Sequence, residues 1–167
     1  MSETRIVFIR FDIYNVTMDK KIKPRVRLII IKNNKLLLTY TKDGDFYFYI
    51  GGKMEFGETL EQTCLREIKE ECGQNVKFTF KKILYIRDYI KPEEDEHSIE
   101  FYILGDINKF EEVEGVVDEE FAGLHYQTWV GMDNLPENIL PKSLTVTLKD
   151  DYKNGFPRQG EYLGSLD

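Results

Sequence analysis

The chain has 167 residues, a hydrophobic content of 41%, a charged content of 32% and a formal net charge of −7. This length and composition predict a single soluble domain over residues 1–167, with enough apolar material for one core. The acidic balance argues against broad binding to nucleic acid or to an anionic membrane, because both need a basic surface.

The first third of the chain is typical of successive β-strands. Alternation of apolar and polar residues predicts a strand over residues 5–16, within an N-terminal extension of residues 1–24. Its apolar face could pair across a homodimer. In the next strand Arg25 and Arg27 share one face, which is either a solvent-facing edge or a wall of a binding site. Further strands are predicted at residues 25–31, 35–40 and 46–50, separated by turns at Asn33-Asn34 and Asp43-Gly44.

A helix follows the paired glycines Gly51 and Gly52. Thr59 with Gln62 predicts a capping box at its start, and Gly73 predicts a left-handed residue just after its last turn. Leu60, Cys64, Ile68 and Cys72 recur every four residues and form its predicted buried stripe. The two cysteines are roughly 12 Å apart along the helix axis, too far to bridge. Reduced cysteines, with no leader or membrane span in the sequence, predict a cytoplasmic protein.

The same helix places three glutamates on one side. At about 100° per residue, Glu67, Glu70 and Glu71 fall within an arc of roughly 100°, and Glu71 also points toward the edge of the core. Like charges at this spacing repel each other, and the local sequence does not offer three cations to offset them. A hard divalent cation with oxygen ligands accounts for the cluster, and a carbonyl of the glycine pair, such as that of Gly52, could be a further ligand.

This segment resembles the signature of the Nudix hydrolases, which cleave nucleoside diphosphates linked to another moiety. The matching pattern is Gly52, five residues, Glu58, seven residues, and then REIKEECG over residues 66–73. It departs from the family only at Gln74, where an aliphatic residue is usual and Val76 could take the packing role. The resemblance covers about residues 25–153 and implies an α/β/α sandwich with a mixed β-sheet.

The resemblance implies catalysis with Mg²⁺ or Mn²⁺ on a small nucleotide substrate. Glu67, Glu70 and Glu71 would supply metal ligands with the Gly52 carbonyl, Glu58 would lie near Arg66, and Arg66 would orient the glutamates. In the family a basic residue on the strand that contains Arg27 often reaches the substrate phosphates. A base could stack on one of several aromatic residues, with Tyr89 close to a family marker position.

The second half of the chain predicts three more strands and a closing helix. The strands are expected at residues 76–90, with a bend at Lys81-Lys82, at 97–107 and at 125–130. Pro141 suits the first position of a helix that ends near Lys153, and residues 154–167 are predicted to be an irregular tail. These elements together predict an α/β fold with a mixed sheet covered on both faces.

The acidic loop of residues 109–123 is the part of the chain from which family members often supply a further glutamate. Glu120 is preferred for this role, with Glu119 and then Glu100 as alternatives. His97 and His125 lie in predicted strands without a partner at catalytic spacing, so neither is expected to be catalytic.

Three functions are compatible with these features. A metal-dependent pyrophosphohydrolase leads, acting on a nucleoside triphosphate, a nucleotide sugar or a dinucleoside polyphosphate. The second is a related sensor that binds a nucleotide metabolite without cleaving it. The third, isomerisation of a prenyl diphosphate, needs a cysteine in the substrate pocket and ranks last, because both cysteines are expected to be buried.

Overall fold

A computed structural model describes residues 20–118 and 121–166 as an α/β fold. The predicted strand over residues 5–16 lies outside these ranges. Within them the helices are α1 (Leu60–Cys72) and α2 (Lys142–Lys153), and the strands are β1 (Lys23–Lys32), β2 (Lys35–Thr41), β3 (Phe46–Phe48), β4 (Phe78–Lys91), β5 (Glu96–Ile107), β6 (His125–Gly131) and β7 (Glu161–Ser165).

The sheet is mixed and opens at one end. β1 runs parallel to β5, β4 is antiparallel to β5, and β2 is antiparallel to both β3 and β6. β1 pairs with β2 only beside their connecting turn, at Ile31–Leu36 and Lys32–Lys35. Toward the start of β1, the segment after β3 pairs with β1 where β2 would otherwise lie. The backbone N–H of Val26 there donates to the Gly52 carbonyl at 2.9 Å. This divergence creates the groove described below.

The two helices cover opposite faces of the sheet. Cys64 and Ile68 of α1 belong to the apolar cluster that contains Val26 and Leu28 of β1. On the other face, Leu144 and Leu148 of α2 pack in the cluster that contains Ile29, Tyr85 and Tyr102. The predicted mixed sheet between two layers of helix is therefore confirmed. Successive side chains of β1 point to opposite faces, so this strand contributes to both apolar clusters.

The start of α1 is fixed as the sequence predicts, and its end is not. The Thr59 hydroxyl accepts from the Gln62 N–H at 3.2 Å, and the Gln62 side chain accepts from the Thr59 N–H at 2.8 Å. Gly73 has φ 111° and ψ 146°, so the prediction of a left-handed helical residue is wrong. The Gly73 N–H still closes the last turn on the Lys69 carbonyl at 3.2 Å.

Other boundaries shift because tertiary pairing decides them. β3 ends at Phe48, and Pro141 precedes the first helical residue of α2 instead of being that residue. The predicted bend in β4 is a register shift between Phe80 and Lys82. The largest difference is at the C-terminus, where β7 pairs parallel to β4 instead of forming an irregular tail.

Both cysteines are buried free thiols, as predicted from their spacing. Among the described residues, neither α1 nor α2 combines the length and the apolar composition that crossing a membrane requires. The cytoplasmic location stays a prediction.

Candidate active site

A groove of about 1200 Å³ lies where the sheet opens. Its walls come from the first half of β1, the second half of β4, the start of β5, the glycine loop, the acidic side of α1 and the aromatic residues around β3 and β6. The groove therefore brings the acids of α1 together with the arginines of β1. It also brings in residues that the sequence analysis did not select.

Arg66 is the centre of the acid cluster. Its guanidinium donates to Glu58 at 2.8 and 3.0 Å, to Glu67 Oε1 at 2.7 Å and to Glu70 Oε2 at 3.0 Å. It also donates to the Lys53 carbonyl at 2.8 Å. The guanidinium holds the pKa of Glu58 at about 2, through its hydrogen bonds before any other contact.

One guanidinium serves several carboxylates in this cluster. A single local cation does offset Glu67 and Glu70, because a guanidinium has five donors in a fixed fork and can serve several carboxylates together. The sequence does not offer three cations for the three acids, and Arg66 alone bonds two of them, Glu67 and Glu70. Glu67 and Glu70 each bond Arg66 through one oxygen, so each keeps a second oxygen that accepts no hydrogen bond from the described residues.

Glu71 is in a different position, buried and beyond the hydrogen bonds of Arg66. It accepts from the Gly51 N–H at 2.7 Å and from the Thr39 hydroxyl at 3.2 Å. Burial first, and then the neighbouring charges of Glu67 and Asp118, raise the pKa of Glu71 to about 8, although the hydrogen bond from the Gly51 N–H lowers it. The Glu71 side chain lies at the edge of the core, as the helical periodicity predicts.

Gly52 allows the backbone to approach the acids closely. A Cβ at this position would lie 2.6 Å from Glu67 Oε1, a distance that real Cβ atoms do not reach. A side chain at this position would push the Glu67 carboxylate out of its present place. The Gly52 carbonyl already accepts from Val26, and a carbonyl oxygen retains a second lone pair after one such bond.

The donor set suits a hard divalent cation. Glu67, Glu70 and Glu71 offer carboxyl oxygens, which such ions prefer, and the buried Glu71 carboxyl has no cationic hydrogen-bond partner in the described residues. Within residues 20–118 and 121–166, no three acidic, histidine or cysteine side chains are gathered tightly enough to enclose an ion. The Arg66 bonds to Glu67 and Glu70 account for this, because they draw two of the three carboxylates toward the guanidinium.

Asp118 is an acid of the groove that sequence analysis missed. It is buried, lines the groove and raises the pKa of Glu71, so its carboxylate is close to the acid cluster. It directly precedes Glu119 and Glu120, the acids preferred from the sequence, and these two residues lie outside the described ranges. The sequence did indicate that an acid of this loop would reach the site, but the pattern of the loop could not show which of its acids does so.

Glu100, the remaining alternative, is part of a different cluster. It is 1% exposed and accepts from Arg27 Nε at 3.0 Å, Arg87 Nε at 2.7 Å and the Tyr102 hydroxyl at 3.0 Å. Burial raises the pKa of Glu100, but the charges and hydrogen bonds of the two arginines outweigh this effect and the pKa is lowered. Glu100 therefore fixes arginines and is not grouped with the acids of α1.

Arg27 joins this cluster to the glycine loop. Its Nη1 donates to the Gly51 carbonyl at 3.0 Å, while the Gly51 N–H donates to Glu71. Arg25 also lines the groove, and β1 is an internal strand, so the interpretation of both arginines as solvent-facing edge charges is wrong. Arg87 was not selected from the sequence because only the pairing of β4 with β5 places it beside Glu100.

The aromatic residues divide between the two ends of the groove. The Arg87 guanidinium lies 5.2 Å and the Lys91 ammonium 5.7 Å from the centroid of the Tyr89 ring. Two cations therefore already contact this residue, which was predicted to stack on a base. At the other end, the His125 ring stacks on the Phe121 ring with a centroid distance of 4.1 Å. Its edge faces the Phe48 ring with a centroid distance of 5.3 Å. His97 does not line the groove.

Comparison with known proteins agrees with this geometry. A family model described as NUDIX domain matches residues 21–149. A proposed 8-oxo-dGTP diphosphatase of Bacillus subtilis (strain 168) is 29% identical over 129 residues, which is 77% of each chain. An ADP-ribose pyrophosphatase of Methanocaldococcus jannaschii is 41% identical over 70 residues, 40% of this chain and 39% of that protein.

Among solved structures, a Nudix hydrolase from Nitrosomonas europaea matches with a TM-score of 0.64 and 19% identity. The match covers 86% of this chain and 79% of that chain. At this level of identity the likeness shows the fold.

Proposed function

The chain belongs to the Nudix family of pyrophosphohydrolases, and from this premise we propose that it hydrolyses a nucleoside diphosphate linked to another moiety with the help of Mg²⁺ or Mn²⁺. The relatives named above include one that acts on a nucleoside triphosphate derivative and one that acts on a nucleoside diphosphate sugar. Both compounds contain a pyrophosphate bond next to a nucleoside. The proposal is that this chain attacks the same type of bond.

The observation that carries the proposal is the position of Glu71. A carboxylate at 7% exposure, beside Glu67 and Asp118 and without a cationic hydrogen-bond partner among the described residues, is an unfavourable arrangement for a protein on its own. It becomes favourable when a cation binds at the groove. The same groove contains arginines, which are suited to bind phosphate. The site can therefore accommodate both a metal cation and a phosphate anion.

Glu67, Glu70 and Glu71 would hold the metal ions, with the Gly52 carbonyl as a further ligand. When bound, such ions neutralise phosphoryl oxygens and lower the pKa of a coordinated water. Arg66 holds Glu67 and Glu70 side by side, and Glu58 anchors Arg66 through two hydrogen bonds. Asp118, which lines the groove close to Glu71, would supply one more carboxylate to orient the attacking water. Glu120 keeps its place as a candidate for that same role.

The nucleoside would lie toward the aromatic end of the groove. Phe48, Phe121 and His125 form a compact group of rings there, and any nucleobase presents a π-face that stacks on such rings. Arg27 would contact the phosphates, since it bonds the Gly51 carbonyl next to the acid cluster. Tyr89 would border the substrate from the cationic end.

The test is a panel of nucleoside triphosphates, nucleotide sugars and dinucleoside polyphosphates, incubated with Mg²⁺ or Mn²⁺ and analysed for the products released. Glu70→Gln and Glu71→Gln should each lower kcat on the best substrate by about a thousandfold or more, since metal assistance contributes several kcal/mol to the barrier. Circular dichroism should show the fold retained in both variants.

The matched control is Glu61→Gln, which removes one charge from an exposed position of the same helix outside the groove. It should retain wild-type turnover. Full turnover by Glu71→Gln would contradict the proposal. So would tight nucleotide binding by the wild type in Mg²⁺ with no hydrolysis over hours, which is the behaviour of a sensor.

A further inference from the structure

The strands that carry the groove arginines also have an apolar reverse face. Successive side chains of a strand point to opposite faces, so the residues on either side of Arg87 in β4 point away from the groove. The strand register places Ile86 opposite both Phe101 and Tyr162, and it places Ile99 opposite Pro24. The apolar members of this reverse face are Pro24, Ile86, Ile90, Ile99, Phe101 and Tyr162, and none of these six residues lines the groove.

The helices leave much of the reverse face uncovered. Phe101 packs against the apolar cluster beneath α1, but Ile86 and Ile99 belong to neither of the two apolar clusters of the described residues. Ile90 is 45% exposed and Tyr162 is 64% exposed. Adjacent apolar side chains in contact with water are unfavourable, and such a surface marks a place where another segment or another molecule binds.

The acid on this face already has partners. Asp88 accepts a hydrogen bond from the Tyr162 hydroxyl, and His97 Nε2 lies 4.0 Å from Asp88 Oδ1. An apolar segment can therefore cover Ile86 and Ile99 without burying an unpaired carboxylate, which would be costly.

Residues 5–16 have the composition that such a face needs. Eight of these twelve residues are apolar or aromatic. Val7, Ile9, Phe11 and Ile13 occupy alternate positions, so a strand over them would present one apolar side. A segment of this composition is itself unfavourable in water unless another surface covers it. The segment and the reverse face thus meet the same need in each other.

The position of Lys20 brings this segment to the border of the reverse face. Lys20 Nζ lies 2.5 Å from Asp95 Oδ1, in the connection between β4 and β5. Three residues, 17–19, separate Lys20 from the segment, which is enough for a turn. Twelve extended residues span about 40 Å, whereas the face from β1 across β5 and β4 to β7 is about 14 Å wide.

We propose that residues 5–16 pack over the reverse face of their own chain. A short connection gives the segment a high effective concentration at this face, which favours its own chain over a second copy. Docking buries Ile86, Ile90 and Ile99, and it supports from behind the strands that present Arg27 and Arg87 to the groove. The inference goes beyond the proposed function and does not depend on it, because this surface lies on the opposite side of the sheet from the groove.

A spin label beside the reverse face locates the segment. Glu94→Cys provides an exposed attachment point, and both native cysteines are buried, so the nitroxide attaches at position 94. In a ¹⁵N-labelled chain, the amide signals of residues 5–16 should be about twofold weaker or more than after reduction of the label, since the face is only about 14 Å wide. Val146→Cys is the matched control, because Val146 is 72% exposed on α2, which covers the opposite face of the sheet. With that label the same signals should keep their full intensity.

A mixed sample identifies the chain that supplies the segment. A ¹⁵N-labelled wild-type chain is equilibrated with an unlabelled chain that carries the nitroxide through Glu94→Cys. Packing within one chain predicts that the signals of residues 5–16 are unchanged in this mixture. Weakened signals would assign the face to a second copy and overturn the proposal. Full intensity in both the single-chain sample and the mixture would also overturn it, since the segment would then lie away from the face.

Substitutions within the segment measure the surface that it covers. Ile9→Gln weakens its apolar side and should raise the fluorescence of the dye ANS, which binds exposed apolar surface, about threefold or more. Arg10→Gln is the matched control, because it introduces the same side chain on the other side of the predicted strand, and its fluorescence should equal that of the wild type. Circular dichroism checks that both variants are folded. Equal fluorescence of the two variants would contradict the proposal.

These measurements use neither substrate nor metal ion. Absence of hydrolysis with every nucleotide would defeat the proposed function and leave the position of residues 5–16 to be decided by the spin label. Conversely, a segment found away from the reverse face would defeat this inference while the proposed hydrolysis stood.

Discussion

Two charged clusters border the same groove, and they are built as opposites. In the first, one guanidinium, Arg66, is shared by the carboxylates of Glu58, Glu67 and Glu70. In the second, one carboxylate, Glu100, is shared by the guanidinium groups of Arg27 and Arg87. The first cluster thus carries excess negative charge, which suits metal ions, and the second carries excess positive charge, which suits phosphates.

The clusters also differ in burial, and burial decides what each charge contributes. The Arg66 cluster is open at Glu70, whose side chain is 53% exposed, so water screens that charge, whereas the Glu67 side chain is 10% exposed. The side chain of Glu100 is 2% exposed, and its two arginines hold its pKa below the ordinary value despite that burial. We therefore expect the cationic cluster to contribute to the stability of the fold, whereas the acid cluster carries the proposed metal chemistry.

The largest expected effect is the loss of the buried carboxylate. Glu100→Ala leaves Arg27 and Arg87 without their shared partner, and breaking a buried ion pair in this way costs about 3–5 kcal/mol. Urea unfolding measures the change in the free energy of unfolding. Glu70→Ala, at the exposed member of the acid cluster, should change it by only about 0.5 kcal/mol or less. A cost below about 1 kcal/mol for Glu100→Ala would show that the clusters do not differ in this respect.

Metal ions should act on one cluster only. At a free Mg²⁺ or Mn²⁺ concentration of about 100 times the dissociation constant, binding to the native state adds about 2.7 kcal/mol. For a chain of this size the midpoint of thermal unfolding should rise by roughly 5–10 °C relative to chelator.

Glu71→Gln should abolish this metal-dependent increase, and Glu100→Gln should retain it, although its starting stability is lower. Differential scanning fluorimetry with and without chelator makes the comparison. An unchanged increase in Glu71→Gln would place the ions elsewhere.

The acid cluster could be predicted from the sequence because its residues are local. Glu67, Glu70 and Glu71 are held on one side by the helical repeat, and the Thr59 capping box fixes where the helix starts. Even there, periodicity could not show that Arg66 would pair with two of the three acids. The direction of the Arg66 side chain depends on neighbours such as the Lys53 carbonyl, which only the fold brings close.

The cationic cluster could be predicted only in part, because it is assembled from three strands. The sequence places Arg25 and Arg27 on one face, but the partnership of Arg87 with Glu100 depends on strand register. Asp118 approaches Glu71 for a similar long-range reason, through a loop whose pairing with β6 is tertiary. β7 was missed because its short Gly-containing segment gains its strand conformation from β4.

The pH dependence of stability gives a smaller and sharper contrast. Because the pKa of Glu100 is lower in the folded chain than its ordinary value of 4.5, its contribution is complete above about pH 4.5 and is lost as the pH falls below it. One proton taken up on unfolding corresponds to a slope of about 1.4 kcal/mol per pH unit in that acidic window.

Glu100→Gln should remove this slope, and Glu94→Gln, at an exposed position, should not. Urea unfolding between pH 3 and pH 6 measures both slopes. Identical slopes in the two variants would mean that the arginines do not hold the Glu100 charge.

The smallest expected effect lies in the cap of α1, on which only the acid cluster depends. Thr59→Ala removes the hydroxyl that accepts from the Gln62 N–H and should cost about 1 kcal/mol, the usual value for a lost N-cap. Thr59→Ser keeps that hydrogen bond and should cost much less. Because Arg27, Arg87 and Glu100 are held by strands, the cationic cluster should be unaffected, and binding of pyrophosphate in chelator should be the same in both variants. Weaker pyrophosphate binding by Thr59→Ala alone would show that the two clusters are coupled through α1 and are not independent parts of the groove.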